Sequence, residues 1–391
     1  MKAFLKVYLR ELKRLVSHQS SRTLLLIIPI LSFAFLGYIY KKGVLRDIPV
    51  AVIDLDKTEL SRTLIHFIDA SPSLRVTAVL NSENQPDELL QDGNIYAVYV
   101  LPKGFEKPIL KGKSQKLTVF VNGTNIIHGN IIYAATAKIA MTVTGGALIK
   151  QFMEKDISYE QAMNIVLPIK VHTKPLYNPV YNYQHYLVPG LMTVLFFMIV
   201  FFVSTRSVNL EFADGSWPAL IKLASGNPFL IFWSKAFAIL TLSFSIILLI
   251  FGIFFPLFGI PVNGVLLKVI LWVLIATLPN IFLGLALSSI VSKETLAMDM
   301  AFFYNSPAFV FSGFTFPVFG MPLLNSTYAQ VLPYTHFLTG FIKLYQMDTS
   351  WEMLTGEFQA LIIFMIVGML AAPIALYFKI SQLKNRVYEH I

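Results

Sequence analysis

The sequence contains no cysteine and little charge. Without cysteine the chain can form no disulfide, no thiol nucleophile and no cysteine-based zinc site. Only 14% of its 391 residues are charged, whereas a soluble globular protein carries charge on about a quarter of its residues. Because 55% of the residues are hydrophobic, this charge is too sparse to cover a soluble domain of this length. The composition therefore indicates a membrane protein.

The basic residues are concentrated at the N-terminus, which argues against nucleic acid as a partner. Residues 1–22 contain six lysines and arginines against Glu11 alone, and they directly precede an apolar run. A basic block before an apolar segment is typical of the cytoplasmic flank of a membrane span. No small-residue cleavage site follows, so the run is interpreted as a retained span and not as a signal peptide.

Several stretches are long and apolar enough to cross a membrane, which takes roughly 20 mostly apolar residues. The candidates are residues 23–40, 186–203, 229–257, 266–291, 297–314 and 358–378. Basic residues in the loops expected inside outnumber those expected outside, so both termini are predicted to be cytoplasmic. The sequence thus predicts an α-helical polytopic membrane protein with about six transmembrane helices.

Residues 41–183 have a different pattern, with more charge and shorter apolar runs. Runs rich in β-branched residues alternate with short amphipathic stretches, and turn signals separate them. Strands are predicted at 48–53, 74–80, 95–101 and 117–121, and helices at 58–70, 87–91, 105–110 and 126–154. Strands that alternate with helices predict an inserted α/β domain, which we expect outside the cytoplasm. Gly145-Gly146 is a weak point of the last helix.

The predicted organisation follows from these assignments. A cytoplasmic amphipathic segment occupies 1–22, the first transmembrane helix 23–40 and the extracytoplasmic α/β domain 41–183. Five further transmembrane helices lie within 184–380, and 381–391 form a cytoplasmic tail.

Two connecting segments of the second half stand out. Between the second and third spans, residues 207–227 predict a short helix with Trp217, Leu220, Ile221 and Ala224 on one face. Such a helix would either lie on the inner membrane surface or form the contact through which a cytoplasmic motor protein transmits force to the spans. Residues 315–345 are apolar but interrupted by prolines, a pattern that favours a re-entrant hairpin near the outer surface.

Motifs for chemistry are weak. The tripeptide Gly112-Lys113-Ser114 approaches a phosphate-binding loop, but a Walker A motif needs glycine at the position of Lys107. The tripeptide is therefore interpreted as a solvated turn, and no histidine spacing is typical of a metal site. Asp54 and Asp56 are interpreted as turn and helix-cap residues. Asp299, one turn into the fifth predicted span, is an interface residue or a polar element of a gate.

Several separated segments resemble the ABC-2 family of exporter permeases, specifically bacterial members with a large extracytoplasmic domain after the first span. The segments are 48–56, 61–64, 97–106, 176–190, 211–228 and 312–335. They follow the family's order and spacing over nearly the whole chain. Residues 213–217 depart from the family pattern, which usually has a second acidic residue and a small residue or threonine after its glycine.

The resemblance implies an exporter in which two permease chains, identical or different, each dock on a separate cytoplasmic ATPase subunit. ATP would be bound by that subunit, and this chain would bind no cofactor. The implied ATPase-coupling residues are Glu211, Gly215, Trp217, Leu220, Lys222 and Ala224. The implied gate or re-entrant hairpin residues are Gly313, Phe316, Pro317, Pro322 and Pro333.

The resemblance also implies a multi-pass protein of the bacterial inner membrane, in contact with membrane lipid. The outer domain would engage a periplasmic adaptor or guide the substrate. An amphipathic drug, a lipid or a peptide would each suit the apolar spans, so the expected activity is multidrug or lipid efflux.

Two other classes of function compete with a permease. A membrane receptor or sensor with an extracytoplasmic α/β domain is the main alternative, and it would need a separate output partner because the cytoplasmic segments are short. A membrane-embedded enzyme would need convergent acidic, histidine or serine groups on the spans, and the sequence offers no convincing set.

Overall fold

The computed structural model describes residues 2–81, 85–168 and 173–388, with side chains as far as residue 382. Two compact units form: the α/β unit, Val44–Lys174, and the helical unit, which combines the segments on either side of it. Each unit has a hydrophobic core of its own.

The helices and strands are named in chain order. The helices are α1 (Lys2–Ser17), α2 (Gln19–Ile39), α3 (Glu59–Asp69), α4 (Pro86–Gln91), α5 (Glu106–Leu110), α6 (Ile126–Met153), α7 (Tyr159–Val166), α8 (Tyr183–Ala213), α9 (Trp217–Leu223), α10 (Pro228–Leu257), α11 (Leu266–Ile290), α12 (Glu294–Asn305), α13 (Ala308–Phe311), α14 (Leu323–Gln330), α15 (Pro333–Tyr345) and α16 (Thr355–Tyr388). The strands are β1 (Ile48–Asp54), β2 (Leu74–Leu80), β3 (Ala97–Leu101) and β4 (Thr118–Val121).

The α/β unit confirms the predicted alternation of strands and helices. Its sheet has the order β2-β1-β3-β4, with β1 parallel to both β2 and β3, and β4 antiparallel to β3. Six of the seven residues of β1 are buried, as expected for a parallel strand covered on both faces. Helix α6 runs through Gly145-Gly146 without a break, although a weak point is predicted there.

Asp54 and Asp56 organise the carboxyl end of β1 as turn and cap residues, although Thr58, and not Asp56, is the N-cap of the helix that follows them. Asp54 Oδ1 accepts the backbone N–H of Lys57 at 2.9 Å, and Oδ2 accepts the Ser61 hydroxyl at 2.9 Å. Asp56 accepts the backbone N–H groups of Phe105 at 3.0 Å and of Glu106 at 3.1 Å. The two carboxylates thus join β1 to the starts of α3 and α5.

Asp56→Asn is expected to lower the stability of the α/β unit by about 1 kcal/mol, the usual value of a capping carboxylate. Burial alone would raise the pKa of Asp56, but hydrogen bonds from Thr58, Glu106 and Phe105 lower it below its ordinary value. Its contribution is therefore present above the ordinary Asp pKa and is lost as the pH falls through the lowered value of the folded chain. Thermal unfolding against pH checks this, with exposed Asp92→Asn as the control.

In the helical unit, α11 is the central helix and contacts α8, α10, α15 and α16. A Cβ atom placed on Gly284 of α11 would lie 2.8 Å from the carbonyl oxygen of Phe201 in α8. A Cβ atom on Gly368 of α16 would lie 2.6 Å from the backbone of Phe282. Small residues at helix crossings let backbones approach closely, which is how helices associate in lipid.

By length and composition, six helices of the described ranges can cross a membrane: α2, α6, α8, α10, α11 and α16 with the turn before it. They differ from the predicted six at two points. The fifth predicted span, 297–314, is not one helix, because α12 ends at Asn305 and α13 begins only at Ala308. Pro307 lies at this break and has no N–H group to continue a helix. Helix α6 meets the criterion although it belongs to the α/β unit.

The segment predicted as a hairpin, 315–345, contains a 3₁₀ turn (Val318–Gly320) followed by α14 and α15. Its prolines begin these elements: Pro317 and Pro322 are N-cap residues, and Pro333 is the first residue of α15. Proline is tolerated at a helix start because its missing N–H is not needed there. The position of this segment in the membrane stays a prediction. In the predicted tail 381–391, α16 continues to Tyr388, and residues 389–391 lie outside the described residues.

Candidate functional site

Helix α1 is amphipathic and packs against α10. Its buried residues Val7, Glu11 and Leu15 are spaced by four and so share one side of the helix. Near its N-terminal end, the Phe4 ring meets Phe237 of α10 edge-on, with ring centroids 6.0 Å apart. The contact between α1 and α10 thus brings a glutamate into the interior of the helical unit.

Glu211 is a fully buried carboxylate in the last turn of α8. Arg10 of α1 binds it through both terminal nitrogens, with Nη1 donating to Oε1 at 2.9 Å and Nη2 to Oε2 at 2.8 Å. Arg14, one turn further along α1, also contacts Oε1, and Ser216 Oγ donates to Oε2 at 2.5 Å. A bidentate arginine–carboxylate pair fixes geometry as well as supplying attraction. Glu211 therefore anchors α1 to α8.

Lys235 of α10 is 1% exposed and lies between two carboxylates. Its Nζ atom donates to Glu11 Oε2 at 2.8 Å, to Glu211 Oε1 at 2.9 Å and to the Ser207 carbonyl oxygen at 3.1 Å. An ammonium group has three donors, and all three are used here. Lys235 thus ties α10 to both α1 and α8.

These side chains form what we call the buried charge cluster. Its members are Arg10, Glu11, Arg14, Glu211, Asp214 and Lys235. Three positive charges balance three carboxylates, so the cluster as a whole is neutral. A buried ion that lacks a partner costs several kcal/mol. The balance therefore lets charged groups lie at this depth, and it makes each member dependent on the others.

The environment of the cluster shifts the pKa of its members outside the spans. Burial raises the pKa of the Glu11 carboxyl, although the Lys235 ammonium acts in the opposite direction. Hydrogen bonding to Glu211 raises the pKa of Arg10. At the more exposed edge, burial alone would raise the pKa of Asp214, but the hydroxyl and N–H of Ser216 lower it below its ordinary value. Arg14 also contacts Asp214.

The predicted coupling segment contains the short helix α9, and its apolar face is turned into the helical unit. Trp217, Leu220 and Ala224 are buried, and the Trp217 ring lies 4.6 Å from the Phe212 ring, centroid to centroid. Gly215 and Lys222 are exposed. The opposite face of α9, with Pro218, Ala219 and Lys222 exposed, is open to a partner.

The residues singled out in the sequence fall into separate places. Glu211 belongs to the buried charge cluster, and the segment after it, in or next to α9, contains Gly215, Trp217, Leu220, Lys222 and Ala224. Gly313, Phe316, Pro317, Pro322 and Pro333 lie in the segment around α13 to α15, where Phe316 is 52% exposed. Asp299 is exposed on α12, and its role stays a prediction.

Sequence reasoning missed five members of the cluster: Arg10, Glu11, Arg14, Asp214 and Lys235. Two signals could have found them. Lys235 lies inside an apolar run that is a predicted span, and Glu11 is the lone acidic residue of a basic segment. An ionisable residue inside a membrane segment is a functional candidate with a partner to be found.

Comparisons with known proteins give matches over nearly the whole chain. The sequence model of the family described as "ABC-2 family transporter protein" matches residues 21–381. The chain is 21% identical over 387 residues to the Escherichia coli (strain K12) protein named "Probable multidrug ABC transporter permease YbhS", covering 96% of this chain and 95% of the relative. It is 22% identical over 354 residues to "Probable multidrug ABC transporter permease YbhR" of the same organism, covering 90% and 92%.

Proposed function

The chain belongs to the ABC-2 transporter family, and we propose that it is an exporter permease driven by a separate ATPase subunit that docks on α9. In this proposal the chain is a multi-pass protein of the bacterial inner membrane with both termini in the cytoplasm. It pairs with a second permease chain to form the translocation pathway. ATP stays on the partner ATPase.

The observation that carries the proposal is the attachment of α9 to the transmembrane helices. Ser216, immediately before α9, donates to Glu211, and Glu211 is bound in turn by Arg10 of α1 and Lys235 of α10. Force applied to the exposed face of α9 would therefore reach α1, α8 and α10 together. A rigid polar network between packed helices is a physical route for such coupling.

The cargo is proposed from the relatives and from the surface of the helices. Both relatives carry the word multidrug in their names. The helices α2 and α16 expose large apolar side chains, among them Phe35, Ile363 and Leu370, so an apolar or amphipathic molecule can approach the pathway from the membrane. We propose amphipathic drugs or lipids as the cargo class, moved from the inner side outward. A periplasmic adaptor is a further proposed partner.

Lys222→Glu combined with Ala219→Arg is expected to reduce cargo-stimulated ATPase activity at least about tenfold, the effect of losing roughly 1.4 kcal/mol of docking energy. Both residues are exposed on α9, so the thermal unfolding temperature should not change. The measurement is ATPase activity, and export of a fluorescent amphipathic dye, after co-purification with the ATPase subunit.

Lys41→Glu is the matched control, since Lys41 is also exposed and follows the far end of α2. Its activity should equal that of the unmodified protein. Full activity of the α9 double variant would refute docking on this face, whereas equal loss in both variants would point to a general effect of surface charge.

A further inference from the structure

The α/β unit contains an apolar groove of about 390 Å³. Its walls come from α3, α5, the turn after α5 and α6. The apolar lining consists of Leu60, Leu64, Phe105, Ile109, Leu117, Ala140, Val143 and Leu148. Ligand sites typically occupy 300–1,000 Å³ and combine apolar walls with a few polar groups. In size and lining, this groove therefore fits a small-molecule site.

One edge of the groove is polar and basic. Gly112, Lys113, Ser114 and Gln115 form this edge, and Lys113 is exposed. The same tripeptide that fails as a Walker motif thus lines a cavity. Gln151 Nε2 of α6 donates to the Leu110 carbonyl oxygen at 3.0 Å, which holds the end of α5 next to α6.

The charge around this edge has one sign. The stretch 103–116 contains five lysines, Lys103, Lys107, Lys111, Lys113 and Lys116, all exposed, and one acidic residue, Glu106. The Glu106 carboxylate accepts a hydrogen bond from the backbone N–H of Leu60 at 3.2 Å. Among the described residues that line the groove, none is acidic. The potential at the groove edge is therefore positive, and it favours an anionic group there.

We propose that the groove binds a single-chain amphipathic anion, with an apolar tail along α3 and α6 and an acidic head group beside Lys113. The apolar lining accounts for the tail, and the surrounding lysines account for the charge of the head. A zwitterionic or cationic head would meet no acidic partner along the lining. The inference does not rest on the proposed transport function, because it concerns binding to the α/β unit without ATP or the ATPase.

The absence of cysteine permits a direct test in the full chain. Thr144 lines the groove, so a bimane fluorophore attached to Thr144→Cys would report on an occupant. The labelled protein, in nanodiscs of zwitterionic lipid, is titrated with dodecanoate. A saturable fluorescence change is expected, and decanoate should bind roughly tenfold more weakly because it buries two fewer methylene groups.

Two controls are needed. One distinguishes binding in the groove from partitioning into the bilayer, and the other distinguishes the contribution of the charged head group from that of the apolar tail. Bimane at Lys138→Cys, exposed on the same helix and not part of the lining, should show no saturable change. Combining Lys111→Gln, Lys113→Gln and Lys116→Gln should weaken dodecanoate binding at least about tenfold, as expected from loss of about 1.4 kcal/mol. The neutral dodecanol should bind weakly and equally to both forms.

The outcomes decide the proposal. No saturable change at Thr144→Cys, confirmed with the label at Ser114→Cys, would overturn it. Equal binding of dodecanol and dodecanoate would also overturn it, because a groove built for an apolar protein segment would not select the charged head. Transport coupled to ATP could persist in either case, so failure here is distinct from failure of the permease proposal.

Discussion

Glu211→Lys is expected to abolish ATP-coupled transport and to destabilise the helical unit strongly. The substitution places a fourth positive charge among Arg10, Arg14 and Lys235 and removes the carboxylate that all three contact. Breaking one partner of a buried ion pair costs about 3–5 kcal/mol because the remaining charge stays buried. We expect the free energy of unfolding to fall by at least this amount, measured by thermal unfolding in detergent. The cargo should no longer raise ATPase activity above its background level.

Removal of charge in pairs should be milder than removal of one charge. Lys235→Met leaves Glu11 and Glu211 without their shared cation, whereas Lys235→Met with Glu211→Gln restores neutrality. The double variant should therefore unfold at a higher temperature than Lys235→Met alone. Asp348→Asn is the control, since Asp348 is exposed and lies 3.9 Å from the partly exposed Lys268, and pairs near the surface contribute about 0–1 kcal/mol. Strictly additive effects of the two cluster substitutions would contradict the network.

Gly284→Ala is the second large effect that we expect, although it adds only one methyl group. The new Cβ atom would lie 2.6 Å from Ser204 Cβ and 2.8 Å from the Phe201 carbonyl oxygen. Contacts this short force α8 and α11 apart, and overpacking of this kind costs about 1–3 kcal/mol. The thermal unfolding temperature should fall, and coupled transport should fall with it.

Gly252→Ala is the matched control for this crossing. Gly252 lies in α10, and a Cβ atom there would meet nothing within 4 Å. Alanine is the better helix former by about 1 kcal/mol, so this variant should be as stable as the unmodified protein or slightly more so. If both alanine variants behave alike, close packing of α8 on α11 is not what holds the unit together.

The α/β unit was largely predictable from local sequence. Its strands coincide with β-branched apolar runs, and turn signals such as Asp92-Gly93-Asn94 lie between them. The end of α8 was not predictable in the same way. The apolar run stops at residue 203, yet α8 continues to Ala213 with Thr205, Asn209 and Glu211 buried. A hydropathy criterion ends a span where the apolar residues end, but α8 continues because tertiary packing buries these positions and because Glu211 binds Arg10 and Lys235.

The buried charge cluster shows the same limit more sharply. Arg10 and Glu211 are separated by 201 positions in the chain, and no local pattern links them. Their pairing depends on the packing of α1 against α10, which the amphipathic pattern of α1 permits without specifying.

In the fifth predicted span, a composition criterion missed the effect of a single residue, Pro307. Both failures concern geometry that is set by backbone and tertiary contacts, not by average hydropathy.

The central claim is that the exposed face of α9 is the docking site of the ATPase. Because the chain contains no cysteine, photocross-linking from single introduced cysteines is the most direct measurement. Single cysteines replace Ala219 or, at the opposite end of the helical unit, Lys41, both of which are exposed. A photoactivatable label on each is irradiated in native membranes, and cross-linked polypeptides are identified by mass spectrometry. We predict that Ala219→Cys labels a polypeptide with a Walker A motif and that Lys41→Cys does not. Absence of such a polypeptide at Ala219→Cys, or equal labelling from both positions, would contradict the account.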